Sequence, residues 1–102
     1  MITLCIRYTL DPNKLAQFES YALSVPGHAR RCGAETAVYY LPTKFAGPTN
    51  AALALIDFPS LAAYEQYRER LANDPEAADV LRRAEASGCI LVEDRSILRR
   101  AG

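Results

Sequence analysis

One histidine, three scattered cysteines and a formal net charge of zero set the first limits on this 102-residue chain. With twelve basic and twelve acidic residues, no overall field recruits nucleic acid or an anionic membrane. The doublets Arg30-Arg31, Arg82-Arg83 and Arg99-Arg100 read as solvated faces rather than a binding patch. Cys5, Cys32 and Cys89 lack CxxC spacing, so neither a disulfide framework nor a zinc site is expected. With His28 or a thiolate as the sole axial ligand on offer, resident haem is not expected either, and no cofactor is implied. Reduced thiols and the absence of a basic-then-apolar leader point to a cytoplasmic protein. The longest unbroken apolar run, Ala51 to Ile56, falls far short of a membrane span. There is also no nucleophile–base pair, paired-carboxylate signature or phosphate-cradling glycine loop.

What the chain does have is a repeat. Leu15-Ala16-Gln17-Phe18-Glu19-Ser20-Tyr21 matches Leu61-Ala62-Ala63-Tyr64-Glu65-Gln66-Tyr67 in order and spacing, each copy following an apolar stretch and a proline, Pro12 or Pro59. A strand–helix unit used twice in one domain, residues 1–102, predicts an α+β, ferredoxin-like βαββαβ sandwich. Its four-stranded antiparallel sheet would carry helices on one face. Ile2 to Leu10 alternates as a strand, with Arg7 between Cys5 and Thr9 on one side and Leu4, Ile6 and Tyr8 on the other. Asp11-Pro12 reads as the start of the first helix, and Pro26-Gly27 as its break or kink. Glu35–Leu41, Ala51–Phe58 and Cys89–Leu98 complete the strands, with a loop from Pro42 to Asn50. Ser60 caps a second helix with a stripe of Leu61, Tyr64, Tyr67 and Leu71, and Asn73-Asp74-Pro75 restarts it until Gly88.

Helices can cover only one face of such a sheet, yet Ala51–Ile56 and Cys89–Val92 are apolar on both. At about 25 cal/mol per Å² of apolar area, leaving that second face wet forfeits many kcal/mol. A homodimer packed sheet against sheet, a dimeric α+β barrel, is the expected solution.

Several segments match a known family. Tyr8-Thr9-Leu10-Asp11-Pro12 with Lys14-Leu15 and Phe18 resembles the opening signature of NIPSNAP-family proteins. Tyr39-Tyr40-Leu41-Pro42 resembles their central strand, and Phe58-Pro59-Ser60-Leu61 through Asp74-Pro75-Glu76 their second helix and turn. The resemblance implies the dimeric α+β barrel fold, which also serves cofactor-independent monooxygenases, lactone isomerases and haem-degrading enzymes. It brings no reaction with it.

Three residues stand out as ligand contacts. Arg7 interrupts an apolar strand, and requires either a carboxylate, Glu93 being the favoured partner, or an acidic ligand. His28, the one histidine of the chain, sits at the expected break or kink, where it can be aimed into a cleft. Tyr39 and Tyr40, adjacent on a strand, must face opposite sides, and Tyr40 would offer its hydroxyl to the barrel lumen. No catalytic residue is identifiable. RNA binding is excluded because the third strand is aliphatic and lacks stacking aromatics. The expected function is binding of a small apolar or weakly acidic metabolite in the barrel or a helix–sheet cleft. A small monooxygenase or isomerase, or a non-catalytic dimeric scaffold, remains open.

Overall fold

The computed structural model describes residues 1–101. Its elements run β1 (Ile2–Leu10), α1 (Leu15–Arg31), β2 (Thr36–Tyr40), β3 (Ala51–Phe58), α2 (Leu61–Asn73), α3 (Pro75–Ser87) and β4 (Ile90–Arg99). The strands form one antiparallel sheet in the order β2-β3-β1-β4, as the ferredoxin-like expectation requires.

Register divides the sheet into two unlike faces. On one, Leu4, Ile6, Tyr8 and Leu10 of β1 lie with Ala52, Ala54, Ile56 and Phe58 of β3. These side chains are buried beneath Phe18, Tyr21, Ala22 and Val25 of α1 and Tyr67 of α2. The equivalent tyrosines of the repeat, Tyr21 and Tyr67, are thus both core residues, 9% and 6% exposed. Among the described residues no helix lies on the other face, and they form a slab of 37 × 37 × 18 Å. The Pro42–Asn50 loop does not shield it: its Phe45 is 95% exposed.

Three local expectations are corrected. Asp11 caps a turn rather than the helix: its Oδ1 accepts from the Asn13 N–H at 2.9 Å, and α1 begins only at Leu15. A short acidic side chain satisfies a nearby N–H in a turn as readily as at a helix start. Pro26 does not break α1, which continues to Arg31. The missing N–H and ring crowding cost about 3 kcal/mol, but burial of Val25 and Ala29 on either side outweighs a local penalty of that size. Gly33, at φ +123°, ends the turn that follows. Leu61 also leaves its expected stripe and stays exposed.

The restart of the helical segment is as read. Ser60 Oγ accepts from the Ala63 N–H at 3.1 Å. Asp74 Oδ1 accepts from the Glu76 and Ala77 N–H groups at 3.0 and 3.1 Å, with Pro75 in the first turn. Gly88 closes α3 in the left-handed conformation at φ +70°.

Candidate functional site

The three helices do not reach across the whole of their face. β4 is an edge strand, and its helix-side residues Arg95 and Ile97 remain 50% and 44% exposed. A cleft of about 350 Å³ opens there. Its floor is Leu4, Ile6 and Ile56, its helical walls are Tyr21, Tyr64 and Tyr67, and Arg95 stands at its side. A second hollow of about 460 Å³ adjoins it, sharing Tyr21, Leu81 and Arg95 and adding Glu93.

Aromatic packing gives this cleft its depth. Tyr8 and Phe18 lie 4.9 Å apart between ring centroids, and Tyr21 meets Tyr39 edge-on at 6.0 Å. On the α2 side, Phe58 packs on Tyr67 at 4.8 Å and on Tyr64 at 5.2 Å. The Tyr8 and Tyr39 hydroxyls are 3.4 Å apart. Burial pushes the phenols of Tyr8, Tyr21 and Tyr39 far above their ordinary range, and that of Tyr67 up to about 12. All four stay protonated at neutral pH, so they can donate hydrogen bonds but cannot serve as tyrosinate bases.

Two arginines bring positive charge to the cleft, Arg68 from α2 and Arg95 from the sheet. The Arg95 Nη2 lies 3.1 Å from Glu93 Oε1, two residues back on the same side of β4. Burial pulls the Arg95 pKa down, but Glu93 and the surrounding groups more than offset this, and the guanidinium stays charged. A cationic fork beside apolar walls and phenolic donors can hold a flat or apolar molecule by its body and a weak acid by its oxygen atoms.

The residues singled out from sequence lie elsewhere. Arg7 and Tyr40 do come together, on the open face of the sheet, where they flank Leu53 in a groove of about 430 Å³. Tyr39 lies on the helix side, as the alternation of the two tyrosines demands. Glu93 is not the partner of Arg7. It aligns with Tyr8 on the helix side and binds Arg95, whereas the residue across from Arg7 is Asp94. His28 is on neither site. It lies in α1 facing α3, its side chain 15% exposed, with Nδ1 4.0 Å from Glu76 Oε2 and without a hydrogen-bond partner among the described residues. Arg95 was not singled out from sequence, and Glu93 was assigned to Arg7 instead, although the i, i+2 spacing of Glu93 and Arg95 on a strand was the available signal for their pairing. Among the described residues, no three His, Cys, Asp or Glu side chains gather as a metal site, and no helix is long and apolar enough to cross a membrane.

Comparison with known proteins agrees with this architecture. The NIPSNAP family model matches residues 3–102. A NIPSNAP-family protein of unknown function from Agrobacterium tumefaciens superposes with a TM-score of 0.78 at 21% identity, covering 99% of this chain and 88% of that one. A NIPSNAP domain protein from Burkholderia xenovorans gives 0.75 at 17% identity, over 99% and 95%. An antibiotic biosynthesis monooxygenase gives 0.75 at 8% identity, over the full length of both chains. These likenesses establish the fold. No protein of curated function matches the chain.

Proposed function

The chain belongs to the NIPSNAP family, and on that premise we propose that it is a homodimeric small-molecule-binding protein whose ligand, a small apolar or weakly acidic metabolite, occupies the helix–sheet cleft. The observation that carries this reading is a charged Arg95 set into a tyrosine-walled hollow over an aliphatic floor. Arg95 meets the acidic group, and Tyr21, Tyr64 and Tyr67 meet the apolar body. Arg7 and Tyr40 belong to the sheet face, and His28 to the α1–α3 contact.

The dimer has its own support. The open face presents Val38, Tyr40, Val92 and Leu98, each 43% exposed or more, beside half-buried Leu53 and Leu55. A patch of that kind is what soluble monomers avoid. The whole chain acts as one domain, and its three unpaired, buried cysteines suit a reducing compartment such as the cytoplasm.

A second reading is catalytic. The monooxygenase neighbour has this fold, and a cofactor-independent monooxygenase or isomerase would use the same cleft. Protonated phenols and a guanidinium beside a bound enolate would stabilise its charge.

The test is a thermal-shift and NMR screen of aromatic and aliphatic carboxylates and phenols, run on the wild type and on Arg95→Met. A ligand at one hundred times its Kd adds about 2.7 kcal/mol, which raises the Tm of a chain this size by roughly 10 °C or more. The proposal expects acidic ligands to stabilise the wild type and lose at least tenfold in affinity in Arg95→Met. Binding that ignores Arg95, or no binding by any member of the panel, contradicts it.

A further inference from the structure

Four residues share one row across the open face: Tyr40 of β2, Leu53 of β3, Arg7 of β1 and Asp94 of β4. The strand residues facing this side include three that carry charge: Arg7, Asp57 and Asp94. Asp57 is already satisfied, because the Thr3 and Thr36 hydroxyls each donate to it at 2.6 Å, and these bonds hold its carboxyl below the usual range. The charge of Arg100, just beyond β4, also acts on Asp57, which leaves one cation and one anion over among the strand residues of this face. Although they stand opposite each other in register, Arg7 and Asp94 make no ion pair together or with any other group among the described residues.

Resting on the dimer reading, we infer that Arg7 of each protomer pairs with the partner's Asp94, so that two reciprocal ion pairs fix the register of the sheet-on-sheet interface. Covering this face with a second copy removes water from a guanidinium that neighbours Leu53 and Tyr40. A charge desolvated in that way requires a carboxylate. In a two-fold interface every contact between residues i and j recurs as j and i. A surface with one spare cation and one spare anion is therefore complementary to itself, with neither charge left over. A shifted or inverted packing of the same apolar face strands both charges, so the pair selects one arrangement among several of similar apolar area.

Charge exchange separates this from pairing within one chain. Arg7→Asp and Asp94→Arg, taken singly, should each weaken the dimer at least tenfold in sedimentation or dilution experiments. The two variants mixed should form a heterodimer well above its statistical share in native mass spectrometry, because each unlike contact then joins Asp to Arg. A statistical mixture overturns the inference. Dimerisation unchanged by either variant also overturns it while leaving the dimer intact, and a wild type that is always monomeric removes the dimer reading itself. Should the reversals disturb folding by circular dichroism, Arg7→Gln and Asp94→Asn serve instead. Each should weaken the dimer and reduce its salt dependence, and the double variant should add nothing to the larger single effect. Additive losses contradict the pairing. Small carboxylates that bind at Arg7 without altering assembly would instead make this groove a ligand site.

Discussion

Tyr39 and Tyr40 are neighbours in sequence with opposite fates, one in the aromatic cluster and the other 53% exposed on the bare face. Strand alternation alone makes it legible in the sequence that the two face opposite sides, and that Arg7 lies opposite Leu4 and Ile6. It cannot name the partner of Arg7, because a one-residue difference in register decides between Glu93 and Asp94 and moves the side chain to the other face. Arg95 is missed for a related reason: whether it lines a cleft depends on how far three helices extend over an edge strand. The tyrosine cluster yields a prediction at this scale. Burial raises the pKa of Tyr8, Tyr21 and Tyr39 above the ordinary phenol value of 10.0. A group raised in the folded state contributes stability that is complete below its unfolded pKa and is lost as pH climbs above it. Ultraviolet titration should therefore show these three phenols ionising only together with alkaline loss of structure by circular dichroism. Their ionisation in a protein that keeps its native spectrum would contradict the packing described.

Among the elements, α1 shows where local rules give way. Its Pro26 reads as a break or kink, yet the helix runs on and Phe18, Tyr21, Ala22, Val25 and Ala29 are buried along it. Tertiary burial outweighs propensity there. Pro26→Ala restores a donor inside the helix at the expense of a more flexible unfolded chain, terms of about 3 and 1 kcal/mol respectively. The net expectation is a gain of about 1–2 kcal/mol, read as a higher denaturation midpoint with unchanged slope. A lowered midpoint would mean that α1 relies on its proline. The α2–α3 corner, by contrast, is legible because its signals are local: Ser60, Asp74-Pro75 and Gly88 act on groups within three residues. Asp74 also binds Arg31 of α1 at 2.5 Å. The Arg31 guanidinium first, and the cap bonds with it, bring the Asp74 pKa from 3.8 to about 2. A depressed pKa means stability present above the unfolded value and lost as pH falls through the folded one. Wild type should therefore lose stability between about pH 4 and pH 2. Asp74→Asn, which keeps the cap but not the charge, should be less stable at neutral pH and show a shallower acid slope over that window. An unchanged slope would assign the acid sensitivity to other carboxylates, Asp57 first among them.

The whole molecule is a two-layer slab 18 Å thick with one face of its sheet uncovered. The apolar runs of β3 and β4 announce this in the sequence, since strands closed on one side only would alternate more cleanly. Which of two adjacent residues faces the bare side follows only from the register. Leu53 shares the row of Arg7, and Ala54, at 0% exposure, faces the helices. Leu53→Glu should accordingly give a folded monomer, whereas Ala54→Glu should unfold the chain by burying an unpaired carboxylate. The most direct measurement is sedimentation equilibrium of the wild type, from high nanomolar to high micromolar concentration. A second copy on the open face predicts a mass of twice the 11.2 kDa chain, with dissociation only on dilution. A mass of 11.2 kDa throughout that range would contradict it.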